Sequence, residues 1–147
     1  MSSVNNNKSD RLVHWCHGAP GLVLLLILAA RFFRNPVYLD QAKDITRLVI
    51  WPRGLLKKGV GLCHGISGNG MVLLRLSQEC EGNERITWRR RALQYAKFAM
   101  DNFEDLGSIP DRPYSLFEGC SGFVCFLMDC SSQIQGSVNT RFPLYEN

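Results

Sequence analysis

The sequence predicts an all-α fold of stacked helix pairs, on three observations. A unit of the form (His/Glu)-Gly-x-x-Gly followed by an apolar run occurs three times. Amphipathic helical patterns fill the intervals between the units. No segment alternates apolar and polar residues convincingly enough to read as a half-buried strand.

The elements follow in order. Residues 1–10 are polar and read as a disordered lead-in, which leaves 11–147 as one domain. The first unit, His17-Gly18-Ala19-Pro20-Gly21, opens an apolar run over 22–30, and Pro20 suits a first helical turn. A helix is then expected over 36–49, with Val37, Leu39, Ala42, Ile45, Leu48 and Val49 on its apolar side. Trp51-Pro52-Arg53-Gly54 should end it. The second unit, His64-Gly65-Ile66-Ser67-Gly68, opens the run over 71–76. A further helix is expected over 85–103, with Ile86, Leu93, Ala96, Phe98, Ala99, Met100 and Phe103 inward. Asn83 should cap it, and Gly107 and Pro110 close the segment that follows. The third unit, Glu118-Gly119-Cys120-Ser121-Gly122, opens the run over 123–128. Gly18 to Gly65 is 47 residues and Gly65 to Gly119 is 54, a period that suits an array of helix pairs. A loop turning sharply into a helix needs positive φ or close backbone approach, which glycine tolerates.

Composition narrows the function classes. At 147 residues the chain can bury one core, and 46% hydrophobic with 20% charged residues is ordinary for a soluble protein. A net charge of +4 is too mild to imply nucleic acid. The one dense basic run, Arg89-Arg90-Arg91 beside Trp88, reads as a solvated helix face. The balance permits peripheral contact with an anionic plasma-membrane surface without arguing for it. The longest apolar run, nine residues over 22–30, is far short of the ~20 that span a bilayer, so a buried helix is expected there. The polar N-terminus carries no secretory pattern. A cytoplasmic, reducing location follows, in which six cysteines stay free or bind metal.

Two of the three units are preceded by cysteine: Cys16-His17-Gly18 and Cys63-His64-Gly65. The third reads Phe117-Glu118-Gly119. If the repeats pack side by side, the loops meet at one end and their thiols and imidazoles converge, the donor set zinc prefers. A single Cys-His pair is more often core filler than ligand, and both readings stand for these loops. Cys80 and Cys120 show no such pairing, Cys125 and Cys130 read as packed thiols, and His14 reads as a loop or surface residue.

The segments Trp15-Cys16-His17-Gly18-Ala19-Pro20-Gly21 and Gly61-Leu62-Cys63-His64-Gly65-Ile66-Ser67-Gly68-Asn69-Gly70 resemble the two metal motifs of eukaryotic LanC-like (lanthionine synthetase C-like) proteins. The stretch from Pro113 to Gly122 resembles their final repeat. The resemblance implies an α/α toroid, of which this sequence matches the last three helix-pair repeats. It implies Zn2+ held by Cys16, Cys63 and His64, with the fourth position open. The implied chemistry is thioether formation: a thiol, glutathione in this group or a peptide cysteine, adds to a dehydroamino acid derived from a phosphorylated peptide. The family's proton donors come from earlier repeats, so the chain is expected to be a truncated, incompetent fragment, with His17 and Glu118 as local stand-ins. Two other readings are a zinc- and glutathione-binding module without turnover, and a structural zinc domain in which His17 closes a Cys2His2 site.

Overall fold

The computed structural model describes residues 12–136 and 140–143. The lead-in expected over 1–10 lies outside the described residues. The chain is all-helical, and the one extended pairing among the described residues is an isolated bridge between Val13 and Gly18. Three helices each open on a glycine loop: α1 (Ala19–Phe33), α4 (Ile66–Gln78) and α7 (Cys120–Ile134). Between them lie α2 (Pro36–Ile45), continued by a π-helical turn Thr46–Ile50 and the short α3 (Trp51–Arg53), then α5 (Gly82–Asp101) and α6 (Phe103–Gly107).

The central element is α4, which packs against α5, α7 and α1. Every residue from Ile66 to Ser77 on it is buried. Contact with α7 is close because α4 carries Gly70, where a Cβ would run into the ring of Phe126. Arg75 is buried within this apolar helix, and Glu79, one turn on, pairs with it. Glu79 also holds Arg31 of α1 at 2.6 Å, so one carboxylate bridges two guanidiniums across helices.

Helix α1 is less covered than the apolar run suggested. Its buried face is Pro20, Val23, Leu24 and Ile27, while Leu22 and Leu25 are exposed. Its run of consecutive leucines goes all round the helix, but neighbours cover one side of it.

Expected boundaries shift by a few residues. The second helix, expected over 36–49, runs on through Pro52 to Arg53 and ends at Gly54, within the segment expected to end it. A proline within a helix removes a hydrogen bond and crowds the preceding turn. Here the turn before it widens to π geometry, with the Trp51 N–H donating to the Thr46 carbonyl. The Tyr95 hydroxyl then donates to the carbonyls of Ile50 (2.7 Å) and Trp51 (3.0 Å), capping the helix end. Helix α5 begins at Gly82 rather than Arg85 and ends at Asp101. Asn83 therefore lies inside its first turn, and no side chain caps the helix at Glu81.

The inward faces also shift. In α5 the buried stripe is Trp88, Ala92, Tyr95, Ala96 and Ala99, a helical period that leaves Ile86, Phe98 and Met100 exposed, and Phe103, which opens α6, is exposed as well. In α2 Ala42 is buried, while Val37 and Leu48 face out. No described helix is long and apolar enough to cross a membrane.

A candidate metal centre where three glycine loops meet

The three loops before α1, α4 and α7 lie side by side and are laced by backbone hydrogen bonds. The Cys16 N–H donates to the Cys63 carbonyl (3.3 Å), and the Cys63 N–H donates to the Phe117 carbonyl (2.7 Å). Cys16, Cys63 and Phe117 each stand two residues before the first glycine of their unit, so the repeat in sequence is a repeat in space.

The glycines explain why the pattern recurs. At Gly68 a Cβ would collide with the carbonyl oxygen of Leu62, six residues earlier. The equivalent Gly21 and Gly122 meet the carbonyls of Trp15 and Leu116 at the same offset. Each loop thus folds back onto the start of its own helix, closer than any side chain allows. Gly18 adds a backbone reason: its φ is 137°, which L side chains rarely adopt.

This lacing brings three donor atoms together. The Sγ atoms of Cys16 and Cys63 and an imidazole nitrogen of His64 lie within 4.8 Å of one another. Metal–sulfur bonds of ~2.3 Å and metal–nitrogen bonds of ~2.0 Å place tetrahedral ligand atoms roughly 3.5–3.8 Å apart, so a small rotamer adjustment closes this set around an ion. Cys16 is exposed, while Cys63 and His64 are partly buried, which leaves one side accessible. His17 is exposed, and this group of donors does not include it.

The electrostatics suit a cation. Burial pushes the Cys63 thiol up to about 12, and the neighbouring Cys16 thiol and the Glu118 carboxylate add to the rise. Two thiols and a carboxylate gathered in partial burial disfavour thiolate unless a positive charge joins them. A soft divalent ion with mixed thiolate and imidazole preference fits that donor set.

A cavity of about 210 Å3 adjoins the group, lined by Lys58, His64, Ile109, Pro110, Asp111 and Glu118. His17, His64 and Glu118 occupy equivalent positions in the three loops. The structure brings His64 and Glu118 to one cavity and leaves His17 outside its lining. The Glu118 backbone is fixed by its N–H donating to the Ser115 hydroxyl (3.0 Å).

His14 is buried rather than on the surface, at 6% exposure. Its ring lies 6.0 Å from that of His64, and its N–H donates to the His17 carbonyl at 3.3 Å. Its pKa is lowered by burial first, then by Lys58, His64 and His17. Neither His14 nor Lys58 belongs to the repeated unit, so the pattern gave no reason to single them out. Asn69, quoted within the second motif, is buried and donates to the carbonyls of Val13 (2.9 Å) and Gly54 (3.0 Å), tying the first loop to the end of α3.

Two thiols and an imidazole gathered beside a cavity on an all-helical repeat form a candidate metal centre, and function has to be argued from that site rather than from the fold. The particular family follows from comparison. The family model described as lanthionine synthetase C-like protein matches residues 2–144, and the chain belongs to that family. A relative named glutathione S-transferase LANCL1, from Danio rerio, is 40% identical over 137 residues. The match covers 93% of this chain and 32% of that protein, so the chain spans about a third of its relative's length.

Proposed function

We propose that Cys16, Cys63 and His64 hold Zn2+ and that the site activates a thiol, glutathione by the relative's printed name, for addition to a dehydroamino acid in a peptide. The observation that carries this reading is the convergence of the three donor atoms beside an accessible cavity. Zinc, when bound, lowers the pKa of an incoming thiol toward neutrality. The two protein thiolates offset most of the ion's charge, so the incoming sulfur keeps electron density and remains nucleophilic. The Lys58 ammonium in the cavity wall suits a carboxylate on the thiol ligand. In the addition the sulfur bonds to the β-carbon of the acceptor, and the α-carbon takes up a proton. We assign the supply of that proton to Glu118, which lines the same cavity, ahead of His17, which lies outside that lining. In this reading residues 11–147 are one arc of the family's α/α toroid, and groups from other repeats complete the machinery.

The exclusion of His17 from the donor group favours an open site over a closed Cys2His2 one. The test is the zinc content of purified protein, wild type beside Cys63→Ala and His17→Ala. One zinc in wild type and in His17→Ala, and none in Cys63→Ala, is the expected result. X-ray absorption should then show one more sulfur neighbour when glutathione is added. A folded wild type without zinc would sink the metal reading, and a spectrum unchanged by glutathione would leave a structural site. Metal and thiol binding without a thioether product would leave a binding module.

A further inference from the structure

The basic run 89–91 is not simply a solvated helix face. Its last member, Arg91, places its guanidinium 4.8 Å from the ring centre of Trp51 and 4.7 Å from that of Trp88. Trp51 follows the π turn, and Trp88 lies one helical turn before Arg91 on α5. Two indole contacts hold the guanidinium in place but satisfy none of its five N–H donors. Among the described residues that guanidinium makes no hydrogen bond and no ion pair.

Arg47, within the π turn, faces the same point. Arg47 and Arg91 line a pocket of about 190 Å3 together with Asn83, Glu84, Thr87 and Trp88. Arg47 bears on Arg91 as a like charge, and burial adds to that in lowering the Arg91 pKa. Burial is the larger of the two causes. The acidic groups nearby are already engaged: Asp44 holds Arg47 at 2.9 Å, and Glu84 holds Lys43 at 2.8 Å. The pocket's own charged lining, Arg47 and Arg91 against Glu84, is positive by one. A single π turn is also where helices often aim side chains at a ligand. Without that wider turn, Arg47 and Trp51 would lie elsewhere around the helix axis relative to α5.

We propose that this pocket is an oxyanion site for a phosphate group, with Arg91 as the fork and Arg47, exposed and shared with Asp44, as the second cation. A tetrahedral dianion accepts bidentate guanidinium donors, and phosphate matches the fork better than chloride or a point-charge partner would. The pocket shares no lining residue with the cavity beside His64, so it stands independently of the metal reading. The phosphate could be free or borne on a phosphorylated side chain, and the shared chemistry is the terminal phosphate.

Trp51 and Trp88 flank the fork, so tryptophan fluorescence of the full chain is the natural readout. Inorganic phosphate titrated at low ionic strength should give a saturable change that weakens as sodium chloride is added. Arg47→Gln, at an exposed side chain, should weaken binding about tenfold or more. Arg91→Lys keeps the charge but loses the fork, and should weaken it by a similar factor while circular dichroism stays unchanged. A phosphoserine peptide that binds more tightly than inorganic phosphate, with its unphosphorylated twin silent, would assign the site to phosphorylated chains. Equal affinity would assign it to free phosphate. No saturable change in wild type, or variants within twofold of wild type, would mean an adventitious ion only and would overturn the proposal.

Discussion

The second and third glycine loops share a backbone and differ in chemistry. Both fold back so that their second glycine presses on the carbonyl six residues earlier, at Leu62 for Gly68 and Leu116 for Gly122. Both join the same ladder, in which the Cys63 N–H donates to the Phe117 carbonyl. Yet the position that offers a thiol in the second loop offers a phenyl ring in the third, and Phe117 lies 5.8 Å from the Trp15 ring instead of among the donors. The repeat fixes where a side chain sits, and the residue chosen there decides whether the place offers a metal-ligating donor or packing.

The strongest way to break that comparison is to attack the shared backbone. Gly68→Ala places a methyl group on the Leu62 carbonyl oxygen and also separates the second loop from α4. A loss of about 3 kcal/mol or more, or of cooperative folding, is expected in urea titrations. Gly122→Ala should do the same, since its carbonyl neighbour is equivalent. If the third loop tolerated alanine while the second did not, the two loops would not be structural equivalents.

A milder change separates packing from chemistry. Phe117→Leu keeps the backbone carbonyl that accepts from Cys63 and removes the ring beside Trp15. Stability should fall by about 1 kcal/mol, and zinc content should not change. Zinc loss in this variant would show that the third loop, through its side chain, takes part in the donor arrangement.

How much of this was legible in the sequence follows the same division. The all-α class and the three glycine loops were readable because one steric constraint was written three times. That the two Cys-His loops come together was readable for the same reason, since equivalent residues of adjacent repeats must meet, whereas the choice of Cys16, Cys63 and His64 without His17 came from the family resemblance. The residues that were not readable lie off the repeat or depend on distant partners. Lys58 precedes the second unit and reaches the cavity only because the loop turns there. His14, read as a loop or surface residue, does lie in a loop, but the chain covers it against His64. The burial of Arg75 depends on Glu79 and Arg31, and the Arg91 stack depends on a π turn that no periodic pattern announces. Val37, Leu48 and Ile86 fitted an apolar stripe by spacing, but no helix covers them.

The helices behind the loops sharpen the comparison with the smallest expected effect. Arg75 of α4 and Asp129 of α7 each lie seven residues beyond the second glycine of their unit. Arg75 is buried and paired with Glu79, a carboxylate it shares with Arg31. Asp129 has the hydroxyl of Thr140, which favours its charged form, but burial outweighs it and pushes its carboxyl up to about 6. A raised carboxylate pKa means the folded state holds a proton that the unfolded state has already released. Stability therefore falls as pH rises from the usual carboxylate range through about 6, and the cost of the buried charge persists above that. Asp129→Asn removes the titration while keeping a partner for Thr140. The variant should match wild type near pH 4 and exceed it at pH 7, by less than about 2 kcal/mol once solvent screening of a half-buried group is allowed for. Urea midpoints of both proteins at the two pH values decide it. A gap that does not change with pH would mean that Asp129 is as well partnered in α7 as Arg75 is in α4, and the two repeats would then differ only at their loops.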